Sequence, residues 1–457
     1  MSELPQGWAF ASLNELQAQG GIFADGDWIE SKDQDPNGRN RLLQLADIGD
    51  GRFIDKSSRY VNDETFDRLN CTALEEGDIL LARMPDPLGR ACLMPRLPQR
   101  CLTVVDVAVF RSGSRDISHR WLMHTLNASP IREEISRNAS GTTRKRIARG
   151  KLAELKVPVP PAAEQKRIAQ KLDALLAQVD TLKARIDAIP ALLKRFRQCV
   201  LQAASTGDLT ASWATKEGAS KWINLRFREL LRDFRGGASI RPSGETQGTP
   251  VLRSSAVRPM LVNFEDVSHF DKSMTLNPND YAMEGDLIFT RLSGSAEFVG
   301  VCGRVKATPR VPTQFPDRLF CARLINSRYA PYLEIFFSSQ NYISYIGRNL
   351  KSSAGHQRIT TETVKNAEIR LPSLEEQTEI VRRVEHLFAY ADQLEAKVVA
   401  AQQRIDALTK SLLAKAFRGE LVPQDPSDEP ASVLLDRIRA QRAAVPKPKR
   451  GRKAATS

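Results

Sequence analysis

The sequence has little of what catalysis or metal binding would need. Its six cysteines (Cys71, Cys92, Cys101, Cys199, Cys302, Cys321) form no Cys-x-x-Cys pair, and its five histidines (His119, His124, His269, His356, His386) stand at no ligand spacing. A zinc site or disulfide framework is disfavoured, and free buried thiols in a reducing compartment are expected. There is no Gly-x-x-x-x-Gly-Lys-Ser/Thr loop to cradle the phosphates of ATP. An Asn/Asp-Pro-Pro-Tyr/Phe quartet is also missing, as is a glycine-rich strand-to-helix turn of the kind that seats methyl donors and dinucleotides. Asn277-Pro278-Asn279-Asp280-Tyr281 only touches the first pattern and reads as a loop. No basic leader precedes an apolar core, and no apolar run reaches the length of a membrane span. A cytoplasmic protein with no membrane partner is expected, without catalytic residues or metal ligands of its own.

What is present is positive charge and repetition. With 457 residues the chain is long enough for about three units, and 41% apolar residues suffice for buried cores. The formal charge of +13 favours a polyanionic partner, nucleic acid first.

One stretch occurs twice. Pro160-Pro161-Ala162-Ala163-Glu164-Gln165-Lys166-Arg167-Ile168 returns as Pro372-Ser373-Leu374-Glu375-Glu376-Gln377-Thr378-Glu379-Ile380, and the same shift of 212 residues carries Gly207 onto Gly419. In the first copy Leu172, Leu175, Val179, Leu182, Ile186, Ile189, Leu193, Phe196 and Val200 step three, four, three, four. The second copy has Val384, Leu387, Ala391, Leu394, Val398, Ala401, Ile405, Leu408 and Leu412 at those places. A seven-residue repeat so sustained predicts a coiled-coil seam, hence two long helices that pair. Ser373 with Glu376 has the form of a capping box, Pro161 stands near a first turn, and Gly207 and Gly419 fit the stops. Each helix would be about 66 Å long. Pro190 predicts a kink that Gln402 does not share.

The segments before the two helices also look like distant copies. A tryptophan followed by Glu-Leu opens both (Trp8 to Leu16, Trp222 to Leu230). Glu76-Gly77-Asp78 leads into Ile79-Leu80-Leu81-Ala82-Arg83, as Glu284-Gly285-Asp286 leads into Leu287-Ile288-Phe289-Thr290-Arg291. Each reads as a turn and a buried strand ending in arginine. Short apolar runs broken by Gly, Pro, Asn and Asp, with one helical stretch each near Trp121–Asn127 and Tyr332–Phe337, predict mixed α/β domains with a strongly bent sheet. After Pro430 a short amphipathic helix (Val433, Leu434, Leu435, Ile438) precedes a basic tail, Pro446 to Lys453, expected to be disordered.

Arginine stands where nucleic acid could be held. Arg83 and Arg291 end buried strands. Near each segment's end lies a loop of small, hydroxyl, amide and cationic residues: Gly141, Thr142, Thr143, Arg144, Lys145 and Arg146 in one, Gly355, His356, Gln357 and Arg358 in the other. Backbone N–H groups and cations hold phosphates, while a guanidinium or amide can read a base edge. Either loop alone reads equally well as solvated surface. Their recurrence at matching places in a duplicated, basic chain favours DNA.

In combination, the tryptophan starts, the Pro-x-Pro-Pro-x-x-Glu-Gln-x-x-Ile and Leu-Pro-x-x-x-Glu-Gln-x-x-Ile helices and the two closing phrases resemble the specificity subunits of Type I restriction-modification enzymes over nearly the whole chain. Those phrases are Ala204-Ser205-Thr206-Gly207-Asp208-Leu209-Thr210 and Ala416-Phe417-Arg418-Gly419-Glu420-Leu421-Val422. The resemblance implies an α/β fold class with two target recognition domains (1–158 and 214–370) related by a pseudo-twofold axis. They are separated by a pair of long antiparallel helices (159–213 and 371–425), with a short helix and basic tail at 426–457. It implies a non-catalytic subunit that binds double-stranded DNA at an asymmetric split site and docks methyltransferase and restriction/motor subunits. S-adenosylmethionine, ATP and Mg would sit on those partners. A seam of about 42 Å is commensurate with DNA patches about one 34 Å turn apart. Deleting one heptad from both helices is expected to change the gap and leave both half-sequences, as read by methylome sequencing. Two other readings compete: a stand-alone methyltransferase or nuclease with divergent motifs, and a coiled-coil scaffold whose charge is incidental.

Overall fold

Each long helix is continuous, Ala162–Thr206 and Leu374–Phe417, the first running through Pro190. The computed structural model describes residues 4–85, 87–142, 144–217, 221–239, 248–271, 273–353 and 356–444. Contacts divide the chain into two units, residues 1–186 with 401–457 and residues 187–400, so each unit takes a part of both helices.

The first unit begins by pairing its first strand with its last, Ala9–Ser12 against Lys156–Val159, antiparallel. Its central sheet has the order Ile22–Asp25, Val107–Arg111, Ile79–Ala82, Ala91–Leu93, all antiparallel. A second sheet pairs Asn40–Leu43 with Arg59–Val61 and, in parallel, with Cys101–Thr103. The expected single bent sheet is thus several small ones, because the short apolar runs end at glycine and proline before a long ladder can form. His119–Asn127 and Ser129–Arg137 cover the central sheet as two helices where one was expected. Ala128 is extended between them and Pro130 lies in the first turn of the second, where its missing N–H costs nothing.

The second unit repeats this plan. Ile223–Arg226 pairs with Glu368–Leu371, and the central sheet has the order Leu231–Gly236, Leu319–Leu324, Leu287–Thr290, Cys302–Arg304. Ala330–Phe336 and Gln340–Arg348 lie where the two helices of the first unit lie in sequence, the latter capped by Ser339. Phe227, Phe289, Phe337 and Tyr342 fill its core with edge-to-face and tilted contacts.

Within each unit the two helices run antiparallel. In the first, Leu172 and Leu176 share an apolar cluster with Leu412, Leu413 and Phe417, and Lys183 pairs with Asp406 at 3.2 Å. In the second, Arg197 pairs with Asp392 at 2.6 Å and Glu395 at 2.9 Å, and Arg383 donates to Leu209 O at 2.8 Å. Leu172, Val179, Leu193, Val398 and Ile405 are buried, while Leu175, Ile186, Phe196, Leu387 and Leu394 are half-buried. Leu182 and Leu408 depart from the expected seam, being 48% and 45% exposed. Beyond the reach of the unit's sheets, two helices alone cannot enclose them.

The repeated Glu-Gln pair is the joint between helix and domain. Glu164 accepts from Trp8 Nε1 at 3.0 Å, and Glu376 from Trp222 Nε1 at 2.9 Å. Gln165 and Gln377 donate back to Pro160 O and Pro372 O at 3.0 and 2.8 Å. Only half of the expected capping box forms: Ser373 Oγ accepts the Glu376 N–H, but the Glu376 carboxylate turns to Trp222 and Thr210. Gly207 and Gly419 terminate the helices at φ +94° and +73°, as a residue past the last turn requires.

The helix Ala431–Ala443 completes the first unit's core through Leu434, Leu435 and Ile438. The basic tail lies outside the described residues. Five cysteines are buried, but Cys199 is exposed, against expectation. Among the described residues no helix is long and apolar enough to cross a membrane, and no three His, Cys, Asp or Glu side chains gather as metal ligands.

Candidate nucleic-acid interface

In both units the carbonyl that follows the buried central strand holds the candidate loop. Ile147 donates its N–H to Arg83 O at 3.1 Å, and Ile359 donates to Arg291 O at 3.0 Å. Both isoleucines are buried, so each loop is pinned at its C-terminal end by one backbone bond and one apolar anchor.

In the first unit the loop is a hairpin closed by Ser140 and Arg146, which exchange backbone bonds of 2.9 and 2.8 Å. Gly141 at φ +107° allows the reversal; a Cβ there would stand 2.6 Å from Arg144 O. Thr142, Arg144 and Lys145 are exposed at the tip, and no described carboxylate pairs with either cation. Arg146 is half-buried, reaching Val105 O at 3.3 Å and Asp106 at 3.6 Å, so it braces the hairpin. Thr143 lies outside the described residues.

Arg83 requires a correction. Only 5% exposed, it donates through Nε to Ile147 O at 3.1 Å and through Nη1 to Val105 O and Asp25. A guanidinium that satisfies two carbonyls and a carboxylate in the core is a strut behind the loop and does not face a ligand. Burial lowers its pKa from the ordinary arginine value, with Asp25 opposing. Arg149, which no sequence motif marks, stands beside it, donating to Phe23 O at 2.9 Å and lying 3.8 Å from Asp25.

In the second unit the loop joins two strands, Lys351–Ser353 and His356–Arg358, and Leu292–Ser293 adds a third on the far side of the latter. Arg291 is half-buried, donating to Asp317 O at 3.1 Å with its guanidinium 5.7 Å from the Phe320 ring. Gln357 accepts from Ser352 Oγ at 2.9 Å; His356 and Arg358 are exposed. Gly355 lies outside the described residues. Lys351, missed in the sequence, faces Arg358 directly across the ladder. Like charges opposite one another cost stability in isolation and become favourable when an anion lies over them. The signal was the register, which sequence spacing alone does not give.

Each unit is one copy of an α/β frame on an antiparallel pair of helix segments, presenting cations from a loop pinned to its central sheet. A family model described as "Type I restriction modification DNA specificity domain" matches residues 5–191 and 315–401. The chain is 41% identical over 342 residues to the Type I restriction enzyme EcoKI specificity subunit of Escherichia coli K12, covering 73% of this chain and 74% of that one. It is 35% identical over 379 residues to the StySPI specificity subunit of Salmonella potsdam, covering 79% of each. The chain belongs to the Type I restriction enzyme specificity subunits. The fold agrees with a chain of a type I R-M system solved for its complex assembly and conformational transition (TM-score 0.61, 17% identity, 92% of this chain and all of that one). It agrees too with the HsdS subunit from Thermoanaerobacter tengcongensis (TM-score 0.55, 18% identity, 92% and 98%).

Proposed function

We propose that this chain is the DNA-reading subunit of a Type I restriction-modification complex and performs no chemistry itself. Each unit binds one half of an asymmetric bipartite site in double-stranded DNA, and the long helices dock the methyltransferase subunits, which restriction/motor subunits join. S-adenosylmethionine, ATP and Mg belong to those partners, and the complex works in the cytoplasm. The observation that carries this reading is the loop pinned twice in the same way, Ile147 to Arg83 O and Ile359 to Arg291 O, with different cations in each. One frame with two unlike loops suits two unlike half-sites. Arg144 and Lys145 in one unit, and Lys351, His356, Gln357 and Arg358 in the other, supply phosphate and base contacts.

The test is methylome sequencing of cells expressing this chain with its methyltransferase partner. One split, asymmetric motif with methylated adenine is expected, altered in one half only by substitutions in one loop. A contiguous motif, or the same motif without this chain, would overturn the reading. Methylation or nicking by the purified chain alone would favour the stand-alone enzyme instead.

A further inference from the structure

The two units share an opening strand but not its cover. In the first, the helix Ala431–Ala443 lies on it. Ala431 donates its N–H to Gly7 O at 2.8 Å, and Leu434, Leu435 and Ile438 join the cluster of Trp8, Ala11 and Leu13. Three arginines clamp the helix down: Arg437 on Asp116 at 2.9 Å, Arg439 on Glu15 at 3.1 Å and Arg442 on Asn14 O at 2.6 Å.

In the second unit Ile223–Arg226 follows Trp222 as Ala9–Ser12 follows Trp8. Glu229 stands where Glu15 stands and caps the same turn, accepting the Arg226 N–H at 2.7 Å as Glu15 accepts that of Ser12 at 2.8 Å. Here no described helix covers the strand. Ile223 is 63% exposed and Leu225 half-buried. Ile325, whose N–H bonds Leu230 O at the end of that turn, is 61% exposed. Among the described residues no cation pairs with Glu229. The nearby arginines are engaged, Arg228 with Glu362 at 3.2 Å and Arg370 over the Trp222 ring at 5.2 Å.

We propose that this face seats an amphipathic helix of the methyltransferase subunit, built like the helix on the first unit. It would bring aliphatic side chains one turn apart onto Ile223 and Ile325, and an arginine on its flank to meet Glu229. The covered copy of the same face defines that chemistry. Among the described residues the helix of this kind is held in the first unit by its three arginines, and the seat is assigned to another molecule. The Trp222–Glu376 bond ties the strand to the first turn of the second long helix, so the face continues onto the surface where the proposed function docks that subunit. The inference rests on that reading.

The experiment uses the full chain and purified methyltransferase subunit. Ile223→Glu is expected to weaken assembly at least tenfold in sedimentation titrations, and Glu229→Gln, which keeps an acceptor for the Arg226 N–H and removes only the charge, severalfold, with thermal midpoint and DNA affinity of the chain alone unchanged. With p-benzoylphenylalanine in place of Ile223, light should cross-link a methyltransferase helix that carries spaced aliphatic residues and a flanking arginine. Wild-type assembly that both variants leave intact, or a cross-link to a second copy of this chain, overturns the inference and spares the proposed function. A wild-type chain that does not assemble with the subunit at all overturns both.

Discussion

The Glu-Gln pair is identical in the two units and satisfied differently in each. Glu376 is fully used: one carboxylate oxygen accepts from Trp222 and the other from Thr210 Oγ1 at 2.8 Å. Glu164 accepts from Trp8, but its second oxygen is buried without a partner among the described residues. The reason lies in one substitution between the repeats, because the residue 212 places after Thr210 is Val422, which has no hydroxyl. The glutamines show the reverse. Gln165 Oε1 accepts the Ser118 N–H at 2.9 Å, while Gln377 Oε1 has no partner among the described residues. A repeated motif thus conserves the joint's geometry and leaves its energetics free to drift, since an unmet buried oxygen costs about 1–3 kcal/mol and a stable domain tolerates that.

The largest test of this comparison removes the carboxylates. Glu376→Ala strands both the Trp222 N–H and the Thr210 hydroxyl and should cost about 3 kcal/mol, whereas Glu164→Ala strands one donor and relieves one orphan oxygen, costing about 1 kcal/mol. Urea unfolding monitored by tryptophan fluorescence measures both, and equal losses would end the distinction. Next come the loops. Arg144→Ala with Lys145→Ala should lower the log-log slope of DNA affinity against salt by about 1.8, roughly 0.9 for each lost phosphate contact. Lys351→Ala with Arg358→Ala should do the same in the other unit, and also raise that unit's stability without DNA by a few tenths of a kcal/mol as the cross-strand repulsion goes. An unchanged slope would return those residues to solvated surface.

The finest test of the joint is the reciprocal swap. Val422→Thr should stabilise by about 1 kcal/mol, and Thr210→Val should destabilise by a similar amount. The first carries a pH signature. Burial pushes the Glu164 carboxyl up, while Trp8 and Arg167 hold it down and Asp428 adds to the rise. With its folded pKa above the unfolded one, ionised Glu164 costs stability at neutral pH, and that cost fades as pH falls through the folded and then the ordinary carboxylate range. Val422→Thr should flatten this part of the stability profile between pH 7 and 4, and an unaltered profile would refute the assignment.

The duplicated frame was legible in the sequence because helix seams, glycine stops and Glu-Gly-Asp turns are local patterns with a fixed period. The pairing of the helices followed from the seam, their antiparallel direction from the family resemblance, and mixed α/β domains from their texture. What the sequence hid depends on direction and register. Arg83 and Arg144 are equally charged in a string of letters, yet one side chain meets Asp25 and Val105 inside the core and the other projects from a hairpin tip. Leu182 fits the heptad as well as Val179 does, but only the packing around the helices tells which is covered. Lys351 gains its meaning from facing Arg358, a relation set by strand pairing.

The bond from Ala431 to Gly7 has a consequence for how damage to this protein would be felt. A frameshift or premature stop soon after Phe417 falls closest in the gene to the second unit, but it would strip Leu434, Leu435 and Ile438 from the core of the first. Such a lesion would blind the reader encoded at the opposite end of the message.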